Sequence, residues 1–124
     1  LTEVTEVTSG ERAVGHWDLT GDEPFFAGHF PGRPTLPGVL MCESIAQLGA
    51  YALLSRPDFV GRLALFGGLD GVRFRRQVVP GERLDLEVEL SRVSARAGKG
   101  TGRASVGGEE ACRCELMFVF VDAA

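Results

Sequence analysis

Residues 38–54 read GVLMCESIAQLGAYALL, and this stretch decides the fold. It is rich in Leu, Ala, Met and Gln, and it contains no proline, so it predicts a helix. Pro37 comes just before it, where the fixed φ of proline suits the start of a helix. Ser55-Arg56-Pro57 ends the helix, because the residue before a proline is pushed out of helical space. Since the stretch is apolar nearly all round, we expect the helix to be buried.

Strand patterns lie on both sides of this helix. Residues 1–20 alternate loosely between apolar and polar side chains, with a turn at Gly10, and predict an early β-hairpin. After residue 60, apolar residues recur at period two, first at Leu63 and Leu65 and then at Val72 and Phe74. Beyond a turn at 79–82, apolar and acidic residues alternate over 84–90, which predicts the cleanest half-buried strand.

The last third of the chain predicts two further strands, at 103–108 and 111–121, joined by a hairpin turn at Gly107-Gly108-Glu109. Residues 95–102, ARAGKGTG, predict a flexible turn. A long buried helix must be covered, and only strands are available to cover it. The predicted fold class is therefore α+β, a single domain over residues 1–124 in which one curved antiparallel sheet wraps around one long central helix.

Composition narrows the class of protein. The chain has 124 residues, 44% of them hydrophobic and 24% charged, as in an ordinary globular domain. A net charge of −4 argues against a nucleic-acid partner, which requires a basic surface. No apolar run approaches the roughly 20 residues of a membrane span, and the opening LTEVTEVTSG has no features of a signal peptide. Three cysteines do not form a disulfide framework, so a cytoplasmic protein is expected.

Glu43 is the one charged residue between Arg33 and Arg56. An unpaired carboxylate inside a buried helix is costly, so its pKa rises or it finds a partner. A carboxyl group that is neutral near pH 7 can donate a proton as a general acid. The alternative is that Glu43 faces solvent at a helix edge or pairs with an arginine. The residues alone leave both alternatives open.

His29 lies within the segment GHFPG at 28–32, whose glycines and proline impose an unusual backbone path. Histidine titrates near neutral pH and is the commonest general base in enzymes, so His29 is a candidate base. The alternative is a structural histidine whose ring bonds to the backbone. His16, beside Trp17 in a predicted strand, is interpreted as structural.

Gly38 and Val39 open the predicted helix. Their backbone N–H groups have no acceptor within the helix and lie at the positive end of the helix dipole. Such a position can hold a carbonyl oxygen that gains negative charge during a reaction. Every helix start offers these groups, so the feature acquires meaning only if a substrate reaches it.

Three arginines, Arg73, Arg75 and Arg76, cluster in an otherwise acidic chain. Strand alternation predicts that Arg73 and Arg75 share one face and that Phe74 lies on the other. Such a cluster is usually a solvated strand edge, and it also suits an acidic partner.

The three cysteines predict no metal site. Cys112 and Cys114 form a C-x-C pair on one face of a predicted strand, and Cys42 precedes Glu43 in the helix. Without a second Cys or His pair, zinc binding is not expected. Cys42 is interpreted as a residue of the core.

Taken together, three segments carry a resemblance to a known family. They are EPFFAGHFPGRP at 23–34, LPGVLMCESIAQ at 36–47 and DGVRFRRQVVPGE at 70–82. They closely resemble the signature of the β-hydroxyacyl-acyl-carrier-protein dehydratases of type II fatty acid synthesis, and the resemblance covers nearly the whole chain. The family has the hotdog fold, a sheet wrapped around a long central helix.

The resemblance implies that His29 and Glu43 are the catalytic pair, His29 as the base and Glu43 as the acid. It places the two residues on different subunits of a homodimer, or of a trimer of such dimers, so that each active site lies at the interface. Gln47, one helical turn beyond Glu43, could orient that carboxyl group. The Gly38 and Val39 amides could stabilise the enolate-like oxygen. No metal or organic cofactor takes part in the family's reaction.

The implied reaction converts a 3-hydroxyacyl thioester on acyl carrier protein into a trans-2-enoyl thioester and water. Because the carrier protein is acidic, Arg73, Arg75 and Arg76 form a sensible docking surface. Two alternatives compete with this interpretation. One is an acyl thioesterase, since hotdog thioesterases also place a Glu or Asp on the central helix, although hydrolysis does not require the GHFPG segment. The other is a non-catalytic subunit that binds acyl groups or stabilises a partner dehydratase.

Overall fold

One α-helix and six strands make up the described part of the chain. The structure is a computed structural model, which describes residues 3–8, 11–20, 22–23, 36–59 and 61–122. The elements, in chain order, are β1 (Glu3–Thr8), β2 (Arg12–Asp18), α1 (Gly38–Leu54), β3 (Arg62–Phe74), β4 (Arg83–Val93), β5 (Ala97–Val106) and β6 (Glu109–Asp122). A short 3₁₀ turn at Pro57–Phe59 follows the helix.

All six strands belong to one antiparallel sheet in the order β1-β2-β4-β5-β6-β3, and α1 packs against every one of them. This confirms the predicted α+β class with one sheet around one helix. The early hairpin is also confirmed as β1 and β2, with Val7 opposite Ala13. Strand β3 lies at one edge of the sheet, so one side of its backbone is open to a further strand.

The helix α1 has the predicted bounds. Pro37 occupies the N-cap position with φ −57°, and the amides of Leu40 and Met41 donate to its carbonyl oxygen. At the other end, the Ser55 amide donates to the Tyr51 carbonyl oxygen over 3.1 Å. The following proline then prevents the helix from continuing.

The prediction of a flexible turn at 95–102 is wrong, because most of this segment belongs to strand β5. Its glycines are needed for packing. A Cβ atom at Gly102 would collide with Cγ2 of Ile45 in α1, and a Cβ atom at Gly98 would lie 3.3 Å from Cδ2 of Leu53. These positions lack side chains because the helix packs directly against the strand there. The same glycines make the sequence pattern typical of a loop.

The spacing of these contacts shows how the helix lies on the sheet. Ile45 and Leu53 are separated by about 12 Å of helix rise, and Gly102 and Gly98 by about 13 Å of strand. The helix therefore follows β5 closely, in the opposite direction. Midway between them, Gly49 of the helix brings its backbone near Phe118, since a Cβ atom there would lie 3.1 Å from the Phe118 ring.

The expectation that α1 is buried holds for the side that faces the sheet and not for the whole helix. One stripe of the helix is exposed, and Val39, Glu43, Gln47 and Tyr51 follow it at intervals of four residues. The exposed fraction is 74% for Val39 and 54% for Tyr51. Because these two apolar residues flank Glu43 and Gln47 on the same stripe, the sequence pattern does not show a continuous polar side of the helix.

Other predicted turns and strands agree with the structure. Gly107 and Gly108 have φ angles of +57° and +86°, which suit a tight hairpin turn between β5 and β6. The turn at 79–82 is closed by the Glu82 amide, which donates to the Val79 carbonyl oxygen. The two period-two patterns after residue 60 form one long strand, β3, whose pairing with β6 shifts register at two places. Among the described residues, no helix is both long and apolar enough to cross a membrane.

Replacing Gly102 with alanine should destabilise the fold. A new Cβ would force Ile45 or the helix backbone to move, and overpacking of a filled core costs roughly 1–3 kcal/mol. The measurement is the free energy of unfolding in urea at fixed protein concentration. Gly68→Ala is the matched control, since the nearest atom there is the flexible Cε of Met117 at 3.4 Å.

A double variant locates the cause of this loss. Ile45→Ala removes the group that the new Cβ would meet, so Gly102→Ala combined with Ile45→Ala should lose less than the sum of the single variants, by 0.5 kcal/mol or more as an order of magnitude. Equal stability of Gly102→Ala and Gly68→Ala would contradict the close-packing argument.

Asp18 makes stability depend on pH in the acid range. The Arg83 side chain donates to Asp18 over 2.6 Å, and this hydrogen bond lowers the pKa of Asp18. A lowered pKa in the folded state stabilises the fold above the unfolded pKa, near 3.9, and this stabilisation disappears as pH falls through the folded pKa. We expect Asp18→Asn to weaken the acid dependence of urea unfolding between about pH 5 and 2.5.

Glu115→Gln is the control for this experiment, because Glu115 makes no ion pair with any described residue. Its acid dependence should match that of the unchanged chain. If Asp18→Asn loses stability on acidification as steeply as the unchanged chain, the Arg83 contact does not contribute to folding.

Candidate active site

The start of α1 offers two unused hydrogen-bond donors. No described carbonyl accepts a hydrogen bond from the Gly38 or Val39 amide, since the helix bonds begin with the amides of the next two residues. The first turn holds no acidic residue, and Pro37 supplies no side-chain cap. The positive end of the helix dipole therefore faces its surroundings without a neutralising carboxylate from the described chain.

A hollow of about 350 Å³ lies beside this helix start. Its walls are mostly apolar and come from Leu36, Met41 and Phe74, together with the two residues that open the helix. Arg76 and Gln77 add polar groups to its lining. A hollow with apolar walls and a few donors suits a small acyl group with a polar end. Strand alternation predicts that Phe74 lies on the face opposite Arg73 and Arg75. It does not indicate that the ring lies beside the helix start.

Glu43 lies one helical turn beyond Val39, on the exposed stripe of α1. Of the two alternatives that the residues leave open, the chain alone has the solvent-facing one. The carboxylate is held by Gln47, whose Nε2 donates to Oε1 of Glu43 over 3.3 Å. This hydrogen bond confirms the contact expected from the spacing of four residues.

The structure thus brings together four of the predicted site residues: Gly38, Val39, Glu43 and Gln47. All four belong to the first ten positions of α1. His29, the remaining member of the predicted catalytic set, lies outside the described residues, as does the whole segment 24–35. Its role as the base is carried by the sequence resemblance.

The three arginines of the predicted docking surface differ in their surroundings. Arg75 contacts Glu110 with Nε and Oε2 2.6 Å apart, and Arg76 contacts Glu82 over 2.9 Å. Arg73 is exposed and makes no ion pair with a described residue. The positive charge left over for a partner is therefore centred on Arg73.

Strand pairing brings a fourth arginine, distant in the sequence, next to Arg73. Arg113 of β6 lies directly opposite Arg73 in the sheet. Its nearest acid, Glu110, is 3.8 Å away and is already bound to Arg75. Opposed like charges on neighbouring strands are unfavourable, so this pair is suited to an anionic partner. Only the register of β3 against β6 reveals it.

The cysteines belong to the core. Cys42, Cys112 and Cys114 are free and buried, and their thiols face one another between α1 and β6. Burial raises the pKa of the Cys42 thiol, while the hydrogen bond between Cys112 and Cys114 raises the pKa of Cys112 and lowers that of Cys114. The burial of all three side chains fits the interpretation of core packing. In the described part of the chain, no group of three His, Cys, Asp or Glu side chains is arranged to hold a metal ion.

Comparison with known folds supports this architecture. A dehydratase heterocomplex, ApeI:P from Xenorhabdus doucetiae, superposes with a TM-score of 0.74 at 19% identity, covering 95% of both chains. A thioesterase superfamily member from Thermus thermophilus superposes with a TM-score of 0.76 at 15% identity, covering 95% of this chain and 86% of the other. At such low identity the two similarities establish the hotdog fold and nothing about the reaction.

Sequence comparison is more specific. Residues 1–115 match the FabA-like domain. The 3-hydroxyacyl-[acyl-carrier-protein] dehydratase FabZ of Moorella thermoacetica is 60% identical over 115 residues, which is 93% of this chain and 80% of that protein. The FabZ enzymes of Enterococcus faecalis and Staphylococcus epidermidis are 54% and 46% identical, over 96% and 99% of this chain and 84% and 85% of their own lengths. The chain belongs to the FabZ family of 3-hydroxyacyl-acyl-carrier-protein dehydratases, the hydro-lyases of fatty acid biosynthesis.

Proposed function

We propose that the chain dehydrates 3-hydroxyacyl-acyl-carrier-protein to the trans-2-enoyl thioester, with His29 as the base and Glu43 as the acid. Membership in the FabZ family is the observation that carries the reaction. The residue roles are supported by the segment GHFPG and by the position of Glu43 on the helix face that also presents Gln47.

The elimination has two difficult proton transfers. A base must remove a proton α to the thioester carbonyl, and an acid must protonate the β-hydroxyl group so that it leaves as water. An imidazole near neutral pH suits the first step, and a protonated carboxyl group suits the second. As the α-proton leaves, the thioester oxygen gains negative charge. The Gly38 and Val39 amides are then the donors that stabilise this oxygen.

The acid must hold a proton near neutral pH, which a solvent-exposed carboxyl group does not do. We therefore propose that a second copy of the chain covers the exposed stripe of α1 in a homodimer. The apolar exposure of Val39 and Tyr51 supports this arrangement, because large exposed apolar patches usually mark interfaces. A second copy would exclude water from the surroundings of Glu43, the condition under which a carboxyl group can serve as a proton donor.

Strand β3 supports the same interface. It is 13 residues long, lies at the sheet edge, and exposes Leu63, Leu65 and Leu69. Long edge strands with apolar side chains are templates for pairing with another chain. A twofold axis beside β3 would join two sheets into one. The family resemblance implies that each site of such a dimer combines His29 of one chain with Glu43 of the other. Such dimers could assemble further into a trimer of dimers.

The acidic carrier protein is the proposed partner for Arg73, Arg75 and Arg76. Arg73 supplies the charge that is not already paired, with Arg113 beside it on β6. Arg75 and Arg76 are partly neutralised by their acidic neighbours, so they contribute less to docking. We also propose a cytoplasmic location, since the three cysteines are free thiols, the state that a reducing compartment maintains.

His29→Ala and Glu43→Ala should each lower dehydration of a 3-hydroxyacyl-carrier-protein substrate by about 10²–10⁴-fold, since each removes one proton-transfer group. Glu43→Ala should stay folded by circular dichroism, because Glu43 is exposed and packs little of the core. The same measurement is the folding control for His29→Ala. Product identification by mass spectrometry separates an enoyl thioester from a free acid. Retention of more than a tenth of the activity by either variant would remove that residue from the mechanism.

Mixing the two inactive variants tests the shared site. Random exchange of subunits makes about half of the dimers mixed. Each mixed dimer has one site with both catalytic groups and one site with neither, so roughly a quarter of the activity should return. Exchange is started in mild denaturant, and native mass spectrometry confirms mixed dimers and separates dimers from hexamers. If mixed dimers form and no activity returns, both groups come from one chain.

Arg73→Glu should lower kcat/KM for the carrier-protein substrate by roughly fivefold to tenfold, because an exposed ion pair contributes up to about 1 kcal/mol and reversal adds repulsion. For Arg73→Gln, the decrease in the logarithm of kcat/KM should be about half of that for Arg73→Glu. Turnover of a short pantetheine thioester serves as the control and should not change. The loss should shrink with added salt, and equal losses on both substrates would exclude a docking role.

A further inference from the structure

Phe74 is an exposed aromatic residue in an unusual position. It is the last residue of β3, and 54% of its surface is exposed. Yet its ring lies against the start of α1, since a Cβ atom at Gly38 would be 2.8 Å from ring atoms Cε1 and Cζ. The ring reaches this position only because residue 38 is a glycine.

Both sides of this contact are fixed by the backbone. Phe74 pairs with Cys112 of β6, and the next amide, that of Arg75, donates to the Ala111 carbonyl oxygen over 2.8 Å. On the helix side, the Leu36 amide donates to the Val78 carbonyl oxygen over 2.8 Å. The segment after β3 is thus tied to the residues that precede the helix, so the ring is held over the helix start.

The position of the ring has an electrostatic consequence. Hydrogen bonds and dipoles act more strongly where water is excluded, because the local dielectric constant is lower. The Phe74 ring covers one side of Gly38 and forms a wall of the hollow beside it. A substrate oxygen bound in that hollow would meet the helix-start amides with water displaced from the side of the ring.

We propose that Phe74 is a positioning residue for the dehydration, which shields the Gly38 and Val39 amides and aligns the thioester oxygen with them. This inference rests on the proposed function. The ring itself transfers no proton. Its effect falls on the charge that develops during the reaction, so it acts on the transition state more than on substrate binding. Loss of the ring should therefore lower kcat more than it raises KM.

The test compares Phe74→Ala, Phe74→Leu and Phe74→Tyr with the unchanged chain. Removing a whole oxyanion donor costs about 10²–10³-fold in kcat, and a weakened donor should cost less, roughly tenfold for Phe74→Ala. KM should stay within about threefold. Phe74→Tyr keeps the ring and should restore kcat to within about twofold, whereas Phe74→Leu should not. Val79→Ala, which trims an exposed apolar residue outside the hollow, is the matched control.

A second measurement does not depend on turnover. Exchange of the Gly38 and Val39 amide hydrogens with water, followed by NMR, should be severalfold faster in Phe74→Ala than in Phe74→Tyr or Val79→Ala. Unchanged exchange in Phe74→Ala would overturn the shielding. Faster exchange with unchanged kcat would overturn the positioning role.

Different results would overturn the proposed function and the role of Phe74. An unchanged chain that forms no enoyl thioester would overturn the proposed function itself. An active unchanged chain whose Phe74→Ala variant matches it in kcat would overturn only the role of Phe74. A parallel loss in Phe74→Tyr and Phe74→Ala would also overturn it, because the ring would then not be the feature that matters.

Discussion

The close approach of α1 to strand β5 is the contact on which the rest of the structure depends. It requires positions without side chains on both surfaces, Gly98 and Gly102 on the strand and Gly49 on the helix. Because the helix lies so close to the sheet, Ile45 and Leu53 are buried between them, and every strand contacts the helix. A single helix can then supply the core for six strands, because none of its buried surface is held away from the sheet.

The same contact determines which residues remain for chemistry. Since one side of α1 faces the sheet, Val39, Glu43 and Gln47 must lie on the other side. The first residues of α1 lie beside the end of β3. There they form the hollow together with Phe74 and the residues that follow it. Donors, carboxyl group and acyl-sized space thus follow from one placement of the helix. This arrangement leaves the apolar side chains of Val39 and Tyr51 exposed to solvent. The proposed second copy of the chain would cover them.

Much of this could be predicted from the sequence, and the differences have physical causes. The helix at 38–54 has clear bounds because proline stands at both ends, and the Gly107-Gly108 turn is local chemistry. The sequence predicts a strand only for the end of β5, from residue 103. Its earlier glycines are required by packing against a helix that is distant in the chain, and their sequence neighbours give no sign of that contact. The residues leave the burial of Glu43 open, because the exposed stripe of its helix combines polar Glu43 and Gln47 with apolar Val39 and Tyr51 and therefore forms no clear polar face. The pairing of Arg73 with Arg113 depends on sheet register, which no local pattern encodes.

The uncapped start of α1 has a consequence for evolution and engineering. Helices usually begin with a side-chain cap or an acidic first turn, and such a cap contributes about 1 kcal/mol. This helix has Pro37 at its N-cap position and has neither. If the Gly38 and Val39 amides have their proposed role, a stabilising Asp or Ser introduced there would occupy the donors meant for the substrate oxygen, and the chain would inhibit itself. Selection for thermal stability alone would then erode this site first, because the site needs the helix start to remain uncapped.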